Sequence, residues 1–284
     1  MVRVMNVRAC VWASLCLVAA SPARAQTPPT QQSVEARLQG PFLMLRGLYN
    51  TSRLEFNAHG ELKNLAGIMP FSLSAIRVEN VRLTDSRLEI DAVREGLEFS
   101  RPQQPGEPAP IAATVWDPTE QVRIVIARDR HRPDALYAAI AKVFSSGFDD
   151  ALVAAAPDYW QPWLRHDLHP ADPAGRLRTL LDQEGRTMSC RDSDLTPPRL
   201  VQPVDPDYSD AARMARYQGT VVVHMTVALN GEPQGLFILR PLGMGLDEQA
   251  VDAARRYQFT PAAANGTPVA CETNVIVTFR LGQP

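Results

Sequence analysis

Between Gly219 and Phe279 the hydrophobic period changes from two to about 3.6 and back to two, and this constrains the fold most tightly. Val221, Val223, Met225 and Val227 recur at every second position, the spacing of a strand with one buried face. Asn230-Gly231 follows, a pair that accepts the positive φ angles of a two-residue hairpin turn. The run Gly235 to Arg240 then returns as a second strand. Gly243 and Gly245 lead to Asp247, expected to cap a helix. Ala250, Val251, Ala254 and Tyr257 share one stripe at helical spacing. Arg255 and Arg256 sit at its C-terminal end, where the helix dipole favours cations. Thr273 to Leu281 reads as a last strand, and Ser209 caps a short helix upstream. A ββαβ order with one apolar side per element packs as a three-stranded antiparallel sheet under helices.

The first two thirds read as a different unit. From Val34 to Phe99 the period is two: Ile76 and Val78 alternate with Arg77 and Glu79, and Leu88 and Ile90 with Arg87, Glu89 and Asp91. The phase slips at Asn80, which predicts a bulge or a strand end. With turns at Asn57 to Gly60 and Thr84 to Ser86, this predicts an antiparallel β-meander, wet on one side. Val122, Ile124 and Ile126 add a strand after the proline-rich Arg101 to Pro110. Beyond Pro133 the period becomes helical, with Leu136, Ile140, Val143 and Phe144 on one face and shorter pieces broken at Pro157 and Pro162. Tyr159, Trp160 and Trp163 lie there, as core between helix and sheet or as the lining of a groove. The fold class is α+β. The expected organisation is a leader at 1–25, a polar stretch at 26–32, a β-rich module with a helical second half at 33–190, a proline-rich linker at 191–205 and a C-terminal domain at 206–284.

The leader sets the compartment. Arg3 and Arg8 precede an apolar run from Ala9 to Ala20, then Ala23-Arg24-Ala25. Basic start, short apolar core and small-residue site are the parts of a secretory signal peptide. The run is shorter than the ~20 residues of a spanning helix. Cleavage after Ala25 is expected, leaving a periplasmic protein that starts at Gln26; an uncleaved anchor is the alternative. Cleavage removes three arginines and no acid, taking the formal charge from −2 to −5. An acidic chain of this kind does not select nucleic acid. Of the four cysteines, Cys10 and Cys16 leave with the leader. Cys190 and Cys271 remain, and in an oxidising compartment they permit one internal disulfide; two buried thiols are the alternative. Closing the long loop between them stabilises by roughly 4 kcal/mol.

Catalytic patterns are sparse. His166, Asp167, His169 and Asp172 have ligand types at close spacing, but a solvated turn accounts for them better than the three or four convergent ligands of a zinc site. His224 falls on the outer face of the hairpin, as a surface or interface residue rather than a base. There is no phosphate loop, and Ser145-Ser146-Gly147 is not a nucleophile elbow. No enzyme activity, metal or cofactor is expected.

The C-terminal run also carries a resemblance. Gly219-Thr220-Val221, Asn230-Gly231, the Gly243 to Leu246 turn, Asp247 with Ala250 and Ala254, Tyr257-Gln258-Phe259-Thr260-Pro261-Ala262, Gly266-Thr267-Pro268-Val269 and Val277-Thr278-Phe279 stand in the order and spacing of the TonB family C-terminal domain. The region from about Pro203 to Leu281 resembles that domain. In the N-terminal part, "LRGLY", "LEFNAHGEL" and "PDYWQPWL" are similar to a module of secreted bacterial proteins that carry the same domain. Transducers of the family span the periplasm and take a short transporter peptide beside the last strand. The resemblance therefore implies a partner-binding edge at Asn274, Val275, Ile276, Val277, Thr278, Phe279 and Arg280, where an extended segment satisfies open N–H and C=O groups. A plain edge strand, or one covered by the N-terminal module, is the alternative.

The family's spanning helix and long proline-rich spacer have no counterpart here, and Tyr208-Ser209 replaces its Tyr-Pro. A tether without a fixed end transmits no force, so the expectation is a cell-envelope adaptor that binds a protein or peptide partner, an outer-membrane receptor or a second copy of the chain. The alternatives are an anchored energy transducer and a small-ligand or lipid carrier built on the N-terminal module.

Overall fold

The computed structural model describes residues 28–40, 42–100, 110–168, 188–189 and 195–282, with the backbone alone at 166–168 and 188–189. The N-terminal part opens with helix α1 (Gln31–Arg37) and strands β1 (Leu43–Leu45) and β2 (Arg53–Phe56). The alternating runs form β3 (Ala75–Leu83) and β4 (Arg87–Phe99), followed by β5 (Ile111–Thr114) and β6 (Gln121–Ala127). Helix α2 (Ala135–Val143) runs into β7 (Phe144–Ser145), and α3 (Asp150–Ala155) and α4 (Gln161–Leu168) follow.

The main sheet has the order β2-β6-β4-β3-β1-β7, with β5 added on β4. Its pairings are antiparallel except that β2 runs parallel to β6. A plain meander is thus modified. The chain leaves β2, crosses to form the β3–β4 hairpin, and comes back as β6 with the polarity of β2. The register of β3 on β4 shifts between Val78 and Asn80, at the phase slip in the sequence. Helix α2 lays Leu136, Ala139, Ile140 and Val143 over Leu54, Ile90, Ile124 and Ile126. Phe144 leaves the predicted helical stripe for β7, where it opposes Leu45.

The C-terminal part contains β8 (Met188–Ser189), β9 (Leu195–Thr196), β10 (Arg199–Gln202) and α5 (Asp210–Met214). Next come β11 (Gly219–Val227), β12 (Pro233–Arg240), α6 (Leu246–Arg255), β13 (Gln258–Thr260), β14 (Ala262–Ala264), β15 (Thr267–Val269) and β16 (Cys271–Phe279). The three-stranded antiparallel sheet β12-β11-β16 gains β8, parallel, on the side of β16. From Leu195 on, the predicted linker is extended but not free: β9 pairs with β14 and β10 with β13. Pro197, Pro198 and Pro203 flank these strands instead of interrupting them, as a ladder requires.

Two capping expectations part ways. Ser209 caps α5, accepting from the Ala212 N–H. Asp247 does not cap α6: Gly245, at φ 75°, takes that position. Asp247 lies inside the first turn, fully buried, and accepts from the N–H groups of Leu242 (2.8 Å) and Gly243 (2.7 Å).

The two parts share one core. Leu97, Phe99, Phe71 and Trp160 pack in the same cluster as Val223, Met225, Met244 and Leu246. Backbone joins them as well: Met244 N donates to Leu97 O (2.8 Å) and Phe99 N to Leu242 O (3.0 Å). The sheet face expected to be wet is therefore buried at this end of β4. Trp160 is fully buried, 5.0 Å from Phe71 and 5.6 Å from Phe99 between ring centres, so it is core and not groove lining.

Candidate functional site: the outer edge of the last strand

The predicted edge residues come together because one uninterrupted strand carries all but the last. β16 pairs with β11 along its full length, from Phe279 opposite Gly219 to Cys271 opposite Val227. On its other side, β8 covers Cys271 and Glu272. Among the described residues no strand pairs with that side from Thr273 to Phe279. The opposite rim of the sheet is occupied: Ile238 N donates to Tyr159 O at 2.8 Å, and α4 packs on β12. The N-terminal module thus occupies one rim at Ile238, while the other has no strand from Thr273 to Phe279 among the described residues.

Alternation gives the strand two faces. Val277 and Phe279 are buried, and Val275 packs against the same cluster. Asn274, Ile276 and Thr278 point the other way and are exposed, Ile276 at 66 %. Arg280 follows the strand and is exposed. Near this end, Asp205, Pro206, Tyr208, Thr278, Phe279 and Arg280 line a shallow depression. The Tyr208 ring stands edge-on to Phe279 at 5.6 Å, and its hydroxyl donates to Tyr217 O at 2.5 Å. The depression is therefore held by fixed groups.

His224 lies across the strand from Asn274, and its Nδ1 is 2.7 Å from Asn274 Oδ1. The ring lies 4.6 Å from that of Phe237. It occupies the predicted outer face but is covered, with 8 % exposed, and its Nε2 has no hydrogen-bond partner among the described residues. Cys271 is buried and disulfide-bonded. Cys190, its predicted partner, lies outside the described residues, as do His169 and Asp172. His166 and Asp167 sit on α4, with no described side chains.

Sequence reasoning missed what holds this sheet in place. Glu248 Oε1 accepts from Phe71 N (2.9 Å) and Trp160 Nε1 (2.9 Å), and Glu248 Oε2 from Ser72 Oγ (3.4 Å). The N–H of Gly245 donates to Ser72 Oγ at 2.8 Å. Burial pushes both neighbouring carboxyls up, and Asp247 reaches about 8 with the charge of Glu248 adding to the effect of burial. An acid in the first turn of an amphipathic helix gives no sign in sequence that it will be buried against another module.

The fold of this part is a helix-backed antiparallel sheet whose last strand has one rim without a paired strand from Thr273 to Phe279 among the described residues. The family model described as the Gram-negative bacterial TonB protein C-terminal matches residues 204–281, and this region is a TonB-like C-terminal domain. Such domains mediate protein interactions in the cell envelope. The solution NMR structure of the Pseudomonas aeruginosa TonB C-terminal domain is 25 % identical, covering 35 % of this chain and 99 % of that one at a TM-score of 0.26. No curated protein matches the chain. Among the described residues, no helix is long and apolar enough to cross a membrane.

Proposed function

We propose that the protein is a periplasmic adaptor that grips an extended segment of a partner protein along the outer edge of β16, at Asn274 to Arg280. The observation that carries this reading is the one-sided closure of the sheet: β12 is covered by Tyr159 and α4, whereas Thr273 to Phe279 has β11 on one side only among the described residues. An added strand would satisfy the open backbone groups, and Ile276 and Thr278 would select its side chains. The role is binding, without catalysis. Secretion rests on the leader at 1–25, which lies outside the described residues.

Titration of the isotope-labelled secreted chain with plug-segment peptides of outer-membrane receptors tests the proposal. The expected result is amide shifts concentrated at Thr273 to Arg280. Absence of binding, or shifts confined to other strands, overturns it. The anchored-transducer reading is decided separately by the mass of the native N-terminus, since a start at Gln26 leaves no anchor there.

A further inference from the structure

A second open edge lies in the N-terminal module, and its surroundings have a definite chemistry. β1 pairs with β3 only at Ala75 and Ile76. Farther along, the Gln31 side chain takes the place of a strand: Nε2 donates to Val81 O (2.6 Å), and Oε1 accepts from Leu83 N (2.9 Å). Between these two closures, Arg77 to Asn80 has β4 on one side and, among the described residues, no strand on the other. The exposed rim opens into a groove lined by Leu38, Leu43, Ile76 and Val78 on one face of the sheet and by Phe42 and Ala113 on the other.

Glu95 forms part of the same groove. Its side chain is 9 % exposed and pairs with Arg77 Nη1 at 4.0 Å, on a side chain 57 % exposed, and among the described residues its carboxylate accepts no hydrogen bond. A carboxylate held by one exposed cation at that distance leaves room for a closer donor. Burial pushes this carboxyl up, against the pull of Arg77. Glu35 and Glu79 add two more acids to the lining, against Arg77 as the one base there.

We propose that this groove binds an extended peptide segment carrying a lysine or arginine, its backbone pairing with Arg77 to Asn80 and its cationic group meeting Glu95. The open rim calls for a peptide backbone, Phe42 and Ala113 on the Glu95 face border an aliphatic stem, and the carboxylate takes the charged head. This site is separate from β16 and does not depend on the reading given to that strand.

Calorimetric titration of the secreted chain with acetyl-Val-Thr-Lys-Thr-Val-amide and its norleucine counterpart tests the proposal. The lysine peptide is expected to bind about tenfold more tightly, and Glu95→Gln to erase the difference. Arg77→Ala, which removes the competing cation from an exposed position, is expected to strengthen binding of the lysine peptide. It also keeps the test open if Glu95→Gln does not fold. Amide shifts at Arg77 to Asn80 must accompany binding. No binding, equal binding of the two peptides, or weaker binding by Arg77→Ala overturns the proposal. If 1,5-diaminopentane binds as tightly as the lysine peptide, the occupant is a free amine and the backbone part falls.

Discussion

Glu248 is the residue on which the two halves of the molecule meet. Three donors from the N-terminal module, Phe71 N, Ser72 Oγ and Trp160 Nε1, converge on its carboxylate. Glu248→Ala strands buried donors and is expected to cost about 3–5 kcal/mol in urea unfolding, while Glu248→Gln, which keeps an acceptor, costs less. Its neighbour sets a pH dependence. An unfolded aspartate titrates near ~4, but Asp247 holds its proton up to about 8. The folded state binds that proton more tightly, so its contribution is full below about pH 4 and is lost as the pH rises toward 8. The urea midpoint should therefore fall across this window, and Asp247→Asn should flatten the slope.

At the level of elements, the hairpin, the helical stripe and the last strand were legible because each is a local pattern. Asn230-Gly231 announces its turn, and the need for glycine is steric as well as conformational. Gly231 has φ 81°, and a Cβ there would stand 1.9 Å from Phe259 O. Gly231→Ala is expected to destabilise by about 2–3 kcal/mol, measurable as a lower melting temperature. The alternation of Ile76, Val78, Leu88 and Ile90 likewise produced β3 and β4. What stayed hidden was pairing between distant segments: β2 beside β6, β10 beside β13, and Met244 against Leu97. One sequence specifies which face of a strand is apolar, not which strand it will meet. The residues before Asp247 suit a helix start and predict a cap there, but its carboxylate bends back to the Leu242–Gly243 loop. The edge at Asn274 to Arg280 was legible only as a strand with a familiar pattern; that its rim stays open depends on where the other module docks. The buried, bonded Cys271 gives a further test. A non-reducing peptide map should link it to Cys190, and reduction should cost roughly 4 kcal/mol.

For the whole molecule, the shared core predicts cooperative behaviour. Phe71, Leu97 and Trp160 pack in one cluster with Val223, Met244 and Leu246, so the chain should unfold in a single step, with tryptophan fluorescence and far-ultraviolet dichroism coinciding. Gly243 is the point to probe. Its φ is 104°, and an added Cβ would lie 2.0 Å from Leu97 O; Gly243→Ala should therefore separate the two signals or lower both transitions together. The docking of the N-terminal module on β12 bears on self-assembly as well. Filaments grow when a subunit offers two complementary sides, each able to recruit the next copy. Here the N-terminal module has spent one side within the same chain, and β8 shortens the other. Such a body would sooner end a growing array or close into a pair than pass the contact onward through its C-terminal sheet.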